Sequence, residues 1–283
     1  MSLNKELLDQ FIDHALIEDV GDGDHSSLAC IPEKAEGSSK LLIKQKGILA
    51  GVDVAEFIFR KLEPSIQIEI LIGDGEKVTT GDISFIVTGK IQTLLKAERL
   101  VLNIMQRMSG IATHTRQYAD MLKDYHTTVL DTRKTTPGMR MLDKEAVRLG
   151  GGENHRMGLY DMIMLKDNHI DFAGGIEKAI SKTRAYLKEK NKSLKIEIEV
   201  RSLDDVKKVL ATGGIDRIMF DNFTPEDTKK AVELIDGRFE TESSGMINLD
   251  TVTKYAASGV DYVSVGALTH QIKSLDMSLK AII

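Results

Sequence analysis

The chain has 283 residues, long enough for one large or two ordinary domains with a full core. Hydrophobic residues make up 42% and charged residues 29%, as in a globular protein, and the net charge of −5 gives no global basic field for nucleic acid. The one cysteine, Cys30, excludes an internal disulfide and reads as a small apolar filler, and no apolar run of about 18 residues is present to span a membrane.

The N-terminal stretch MSLNKELLDQF has no apolar signal core. It predicts an amphipathic helix with Leu7, Leu8, Phe11, Ile12 and Leu16 on one side, and a cytoplasmic location by default. KLLIKQKGILAG, IQIEILIGDGEKV and DISFIVTGKIQTLL then read as strands, with a helix near VAEFIFRKL. IGDGEKVTTGD resembles a turn of lipoyl- and biotin-carrying domains but lacks the Met-Lys-Met, so it predicts a plain hairpin turn. From Leu94 a long helical pattern, KAERLVLNIMQRMSGIATHTRQYADML, leads onward. It allows Leu95, Leu102 and Met105 to face a core while Arg99 points elsewhere.

From about residue 128 strands and helices alternate. TTVLDT, MIMLK, IEIEV, RIMF, FETES and DYVSVG are the strands. GMRMLDKEAVRLG, GGIEKAISKTRAYLKEK, LDDVKKVLATG, TPEDTKKAVELIDG and NLDTVTKYAASG are the helices, the last two with Thr224 and Asn248 as N-caps. This beat predicts parallel strands with crossover helices. Without a nucleotide-binding glycine fingerprint it favours a closed or nearly closed β/α barrel. The domains expected are an α+β unit over 1–108, on which the tail 270–283 packs, and a barrel over 109–269.

Side chains at the C-terminal ends of barrel strands line the active site. Read in order, those ends carry Arg133 and Lys134, then Lys166, Glu199, Asp221, Ser243-Ser244-Gly245 and Gly266. The segment GGGENHRMGL adds His155 and Arg156 behind glycines that allow close backbone approach. The cations suit a polyanion or two anions at once. Glu199 and Asp221 suit a hard divalent cation such as Mg²⁺. The small residues at the last two ends suit a phosphate held by backbone N–H groups. No Walker motif, HExxH, CxxC cluster or GxSxG occurs. Together these features point to a sugar phosphate carrying pyrophosphate, and to electrostatic catalysis without a covalent intermediate.

DTRKTTPGMR, GGGENHRMGLYDMIMLKDNHI, IEIEV, IMFDN, ESSG and SVGALTH together resemble the quinolinate phosphoribosyltransferase family, and the resemblance runs through the whole chain. It implies an α/β fold, an incomplete β/α barrel of the type II phosphoribosyltransferase kind with an N-terminal α+β sandwich domain. It implies transfer of phosphoribosyl from phosphoribosyl pyrophosphate to quinolinate, with loss of pyrophosphate and CO₂, to give nicotinate mononucleotide for NAD synthesis. Carried over by motif, Thr132, Arg133, His155, Arg156 and Lys166 face quinolinate, joined by Arg99 from the partner subunit of a homodimer or a higher assembly of dimers. Lys134, Ser244, Gly245, Met246, Gly266 and Ala267 face the donor phosphates. Lys134, Lys166, Glu199 and Asp221 are the catalytic set, the two acids acting through Mg²⁺. The family usually has Ser-Gly-Gly where this chain has Ser244-Gly245-Met246, which narrows the backbone contacts open to the third residue. The alternatives are a related phosphoribosyltransferase of the molybdenum-operon type, against which KDNHI counts, and a barrel that only binds phosphorylated metabolites, which needs no carboxylate pair.

Overall fold

The computed structural model describes residues 3–282; Met1, Ser2 and Ile283, which end the predicted N-terminal helix stretch and the tail, lie outside it. Its elements are α1 (Lys5–Val20), α2 (His25–Cys30), β1 (Glu36–Ile43), β2 (Gly47–Ile48), α3 (Val52–Leu62), β3 (Gln67–Ile70), β4 (Lys77–Val78), β5 (Ile83–Lys90) and α4 (Ile91–Leu122). Next come β6 (Thr128–Leu130), α5 (Arg140–Leu149), β7 (Ile163–Leu165), α6 (Asp167–Ala173), α7 (Ile176–Glu189) and β8 (Ile196–Val200). The chain closes with α8 (Leu203–Thr212), β9 (Arg217–Asp221), α9 (Pro225–Ile235), β10 (Glu240–Ser244), α10 (Val252–Ala256), β11 (Tyr262–Ser264), α11 (Ala267–His270) and β12 (Met277–Ile282).

Two compact units result. The first holds the chain through Arg116, Thr135–Gly151 and the chain from Leu268 on. The second holds Gln117–Lys134 and Gly152–Ala267. The expected division at residue 108 falls inside α4, and by contacts α5 groups with the first unit.

The first unit is built on an antiparallel sheet in the order β12-β1-β5-β3. Alternation decides its faces. In β1 the buried side chains are Ser39, Leu41 and Ile43, at every second position. Phe85 of β5 meets Phe59 of α3 edge to face, with ring centroids 6.1 Å apart. Leu8 and Ile12 of α1 are fully buried, whereas Leu7, expected on the same side, is half exposed. IGDGEKVTTGD is more than a plain hairpin turn, because Lys77–Val78 leaves the sheet to pair with Gly47–Ile48. IQTLL, read as the end of a strand, is the first turn and more of α4. Its β-branched and apolar run favours a strand locally, and the long helix overrides that preference. Within α4, Leu102 and Met105 are buried as expected, but Leu95 is 43% exposed and lies one turn from exposed Arg99.

The second unit carries six parallel strands in the order β6-β11-β10-β9-β8-β7. β6 and β7 are the two edges and do not pair, so the ring stays open; the bridge Leu130–Glu153 adds one step outside β6. Local signals set the crossovers. Thr224 Oγ1 accepts the Asp227 N–H at 3.1 Å to start α9 with Pro225 in its first turn. Ser202 does the same for α8 at 3.2 Å. The helix expected from Asn248 is shorter than predicted: Asn248 Oδ1 accepts the N–H groups of Asp250 and Thr251 as a turn, and α10 begins only at Val252. α6 has no counterpart in the predicted elements.

Candidate active site

The predicted residues at the strand ends all fall in the second unit, except Arg99. After β6, Asp131 is fully buried and its carboxylate organises a second segment. Oδ1 accepts the His155 N–H at 2.9 Å, and Oδ2 accepts from Asn154 Nδ2 at 2.6 Å. Asp131 thereby ties the end of β6 to the segment that presents His155 and Arg156. Thr132 is half-buried and its Oγ1 accepts the Lys134 N–H at 3.0 Å, shaping the turn that leaves Arg133 and Lys134 exposed. Arg156 is half-buried, with Nη1 donating to the Met162 carbonyl at 3.2 Å. Its pKa is pulled down first by burial and then by the charge of Arg133, so the two guanidinium groups sense each other.

Lys166 follows β7 and reaches Glu199 of β8, Nζ to Oε2 at 2.9 Å. The Glu199 carboxylate is almost fully buried while the ammonium is about half exposed. Asp221, at the end of β9, is half-buried and stands in register with Ser244 of β10, which stands in register with Ser264 of β11. Gly245 has φ 93° and Met246 φ 55°, both in the left-handed region, and the Met246 side chain is 73% exposed. A Cβ at Gly245 would collide with the Asn222 side chain and come within 3.2 Å of its backbone N. Gly245→Ala is therefore expected to destabilise the fold by about 1–3 kcal/mol, read as a lower urea midpoint; an unchanged midpoint would refute the fit.

Below the strand ends lies a charged cluster that the strand-end reading missed. Glu197 and Glu199 are two apart on β8, hence on one face, and Glu197 is fully buried. His155 Nε2 sits 2.9 Å from Glu197 Oε2 and 3.4 Å from Glu242 Oε2 of β10. Arg217 of β9 joins Glu242 and Glu240 at 2.9 Å each and lies over the Tyr262 ring, 4.0 Å from its centroid. The His155 ring is only 4% exposed, and its Nδ1 accepts the Arg156 N–H at 2.7 Å. It is thus buried in the cluster, with Nδ1 engaged by a backbone N–H and Nε2 facing two carboxylates.

The electrostatics result from this packing. Burial works against an imidazolium at His155, while the contacts with Glu197 and Glu242 push its pKa upward. The Arg156 N–H opposes the second proton, because it uses the Nδ1 lone pair. Burial and the charge of Glu242 raise the pKa of Glu197. Glu242 is driven up by burial, yet its contacts with His155 and the charge of Arg217 bring it below the usual carboxylate range. One ligand atom from each of His155, Glu197 and Glu242 falls within 4.8 Å of the others. A metal there would require Nε2 to be unprotonated while Nδ1 also accepts, leaving an imidazolate, and Arg217 already supplies the countercharge. The cluster is therefore read as ionic. Its signal in the sequence is a pair of glutamates at i and i+2 inside IEIEV and again inside FETES.

Residues 24–109 match the N-terminal domain of quinolinate phosphoribosyl transferase and residues 111–280 its C-terminal domain. The quinolinate phosphoribosyltransferase (decarboxylating) 1b of Nicotiana tabacum is 47% identical over 281 residues, covering 94% of this chain and 80% of its own. The probable nicotinate-nucleotide pyrophosphorylase (carboxylating) of Bacillus subtilis is 39% identical over 277 residues, covering 98% and 94%. Among solved structures, NadC from Streptococcus pyogenes has a TM-score of 0.94 at 39% identity and covers all of both chains. The nicotinate-nucleotide pyrophosphorylase of Francisella tularensis gives 0.92 at 37%, covering 99% and 98%. With both domain signatures in order and this likeness over nearly its full length, the chain belongs to the quinolinate phosphoribosyltransferase family.

Proposed function

We propose that this chain transfers the phosphoribosyl group of phosphoribosyl pyrophosphate to the ring nitrogen of quinolinate, releasing pyrophosphate and CO₂ and forming nicotinate mononucleotide for de novo NAD synthesis. The observation that carries this reading is the grouping of Arg133, Arg156 and Lys166 with the Glu199 and Asp221 carboxylates at the ends of parallel strands in a chain of this family. Quinolinate brings two carboxylates, and the arginines and Lys166 offer charge-assisted donors for them. Lys134 and the Ser244-Gly245-Met246 turn, with Gly266 and Ala267, are assigned to the donor phosphates. Attack of the ring nitrogen at the anomeric carbon builds positive charge on the ribose, which Glu199 and Asp221 stabilise. Once the ring nitrogen is quaternary its positive charge stabilises the electron pair left on the adjacent ring carbon as the C–CO₂ bond breaks, and that carbon then takes up a proton. Incubating the protein with quinolinate, donor and Mg²⁺ tests the reading: nicotinate mononucleotide and CO₂ are expected in equal amounts, and their absence refutes it.

Glu199 and Asp221 end adjacent strands and offer hard oxygen ligands, which fits Mg²⁺ held by one or two carboxylates together with substrate phosphates. When bound, the ion would neutralise charge on the departing pyrophosphate. Lys166 holds Glu199 Oε2, so Glu199 meets the ion only when that pair loosens, or through water. Glu199→Gln and Asp221→Asn are each expected to raise the Mg²⁺ concentration for half-maximal rate and to slow turnover about tenfold or more, with the thermal midpoint unchanged. Wild-type rates at limiting Mg²⁺ in both variants would remove the metal role.

A homodimer is proposed, in which Arg99 completes the partner's quinolinate site. The exposure of Arg99 and of Leu95 beside it supports this. No helix among the described residues is long and apolar enough to cross a membrane. A cytoplasmic location is proposed; Cys30, expected as an apolar filler, is exposed.

A further inference from the structure

We propose that Glu197 is a positioning residue for the quinolinate site, acting through His155 on Arg156. The proposal rests on the reading of Arg156 as a ligand for a quinolinate carboxylate. Three links connect them. Glu197 Oε2 lies 2.9 Å from His155 Nε2, the His155 Nδ1 accepts the Arg156 N–H at 2.7 Å, and Arg156 carries the guanidinium. Glu197 is fully buried and the His155 ring nearly so, so Glu197 acts on a substrate through its neighbours and not by touching it.

The chemistry explains why a carboxylate stands there. A carboxylate against Nε2 keeps the ring proton on that nitrogen and leaves the Nδ1 lone pair free to accept. If the proton moved to Nδ1, two donors would face each other across 2.7 Å and the Arg156 peptide would have to turn. Asp131 already fixes the backbone as far as the His155 N–H. Glu197 extends that control one peptide further, to the residue that carries the guanidinium. Glu242 is 3.4 Å from the same ring nitrogen but is engaged by Arg217 at 2.9 Å, which leaves Glu197 as the closer partner of the ring.

A binding cycle tests the chain of contacts. Quinolinate and phosphoribosyl pyrophosphate are titrated calorimetrically into wild type, Glu197→Leu, Glu197→Gln, Arg156→Ala and the Glu197→Leu/Arg156→Ala double variant. Glu197→Leu is expected to weaken quinolinate binding about tenfold while donor affinity stays within about twofold, and in the Arg156→Ala background the same change is expected to cost less than about twofold. Glu197→Gln, which keeps the shape and an acceptor oxygen, is expected to hold within about threefold of wild type. Equal losses with and without Arg156, equal losses for both ligands, or no loss at all would overturn the proposal. If Glu197→Leu does not fold, His155→Asn cuts the same chain one link later and carries the same expectations. A wild-type protein that fails to bind quinolinate overturns the functional reading, and this proposal with it; wild-type binding with unchanged Glu197→Leu binding overturns the proposal alone.

Discussion

Lys166→Ala is expected to lower kcat/KM for quinolinate by about a thousandfold, roughly 4 kcal/mol of transition-state stabilisation. Two losses combine. The substrate site gives up an ammonium that would meet a carboxylate, and a charge-assisted contact of that kind is worth about 1.5–3 kcal/mol. The Glu199 carboxylate, whose side chain is only 9% exposed, also loses the cation that sits 2.9 Å from it. A buried charge left without its partner is strongly unfavourable, and Glu199 would then be reoriented or protonated where the mechanism needs an anion. Lys166→Arg separates the two effects. It keeps the charge but replaces a compact ammonium by a planar fork, so it is expected to recover only part of the activity. Steady-state rates for both variants, with thermal midpoints as a control for folding, decide the matter. Activity of Lys166→Ala within tenfold of wild type would show that the pair is an incidental surface contact.

How much of this was legible in the chain depends on where each signal sits. The strand ends were readable because a short apolar run, a polar or charged residue and a helical pattern succeed one another within about ten residues. TTVLDTRK and MIMLK are of this kind, and the structure places β6 and β7 there. The buried cluster was not readable as a cluster. Glu197, Arg217 and Glu242 come from three strands, and only the sheet register brings them together with His155. Charged residues inside a strand look like an exposed face, yet β8 is buried at all five positions. That difference alters the reading of His155. Its place beside Arg156 suggests a substrate ligand, whereas the ring is buried in the cluster, with Nδ1 on the Arg156 N–H and Nε2 facing Glu197. α6 escaped notice because seven residues starting directly after a strand hold too few turns for a period to show. The exposed side of α4 was misjudged at Leu95, because apolar periodicity marks a helix without saying whether a given apolar residue meets its own chain or another surface.

Arg99→Ala is expected to abolish most turnover, although Arg99 lies in the first unit and the residues at the strand ends in the second. Arg99 is exposed on α4, and among the described residues no hydrogen bond or ion pair to it is present. An arginine on a helix surface is ordinarily just a solvated charge. In the proposed homodimer it would enter the partner's site and meet a quinolinate carboxylate, and Leu95 one turn away adds an exposed apolar side chain suited to a subunit contact. A monomer would then lack one cation where the substrate brings two negative charges. Complementation tests this directly. Inactive Arg99→Ala chains are mixed with inactive Lys166→Ala chains under conditions of subunit exchange. In a mixed dimer one site takes Lys166 from one chain and Arg99 from the other, and is intact; the second site carries both defects. Random pairing makes about half the dimers mixed, each with one good site of two, so roughly a quarter of wild-type activity should return if the dimer is a symmetric pair. Recovery near that level requires Arg99 to act across the subunit boundary, because no intact site can arise if each chain supplies its own arginine. Demonstrated exchange without recovery would place Arg99 in its own chain's site or in none.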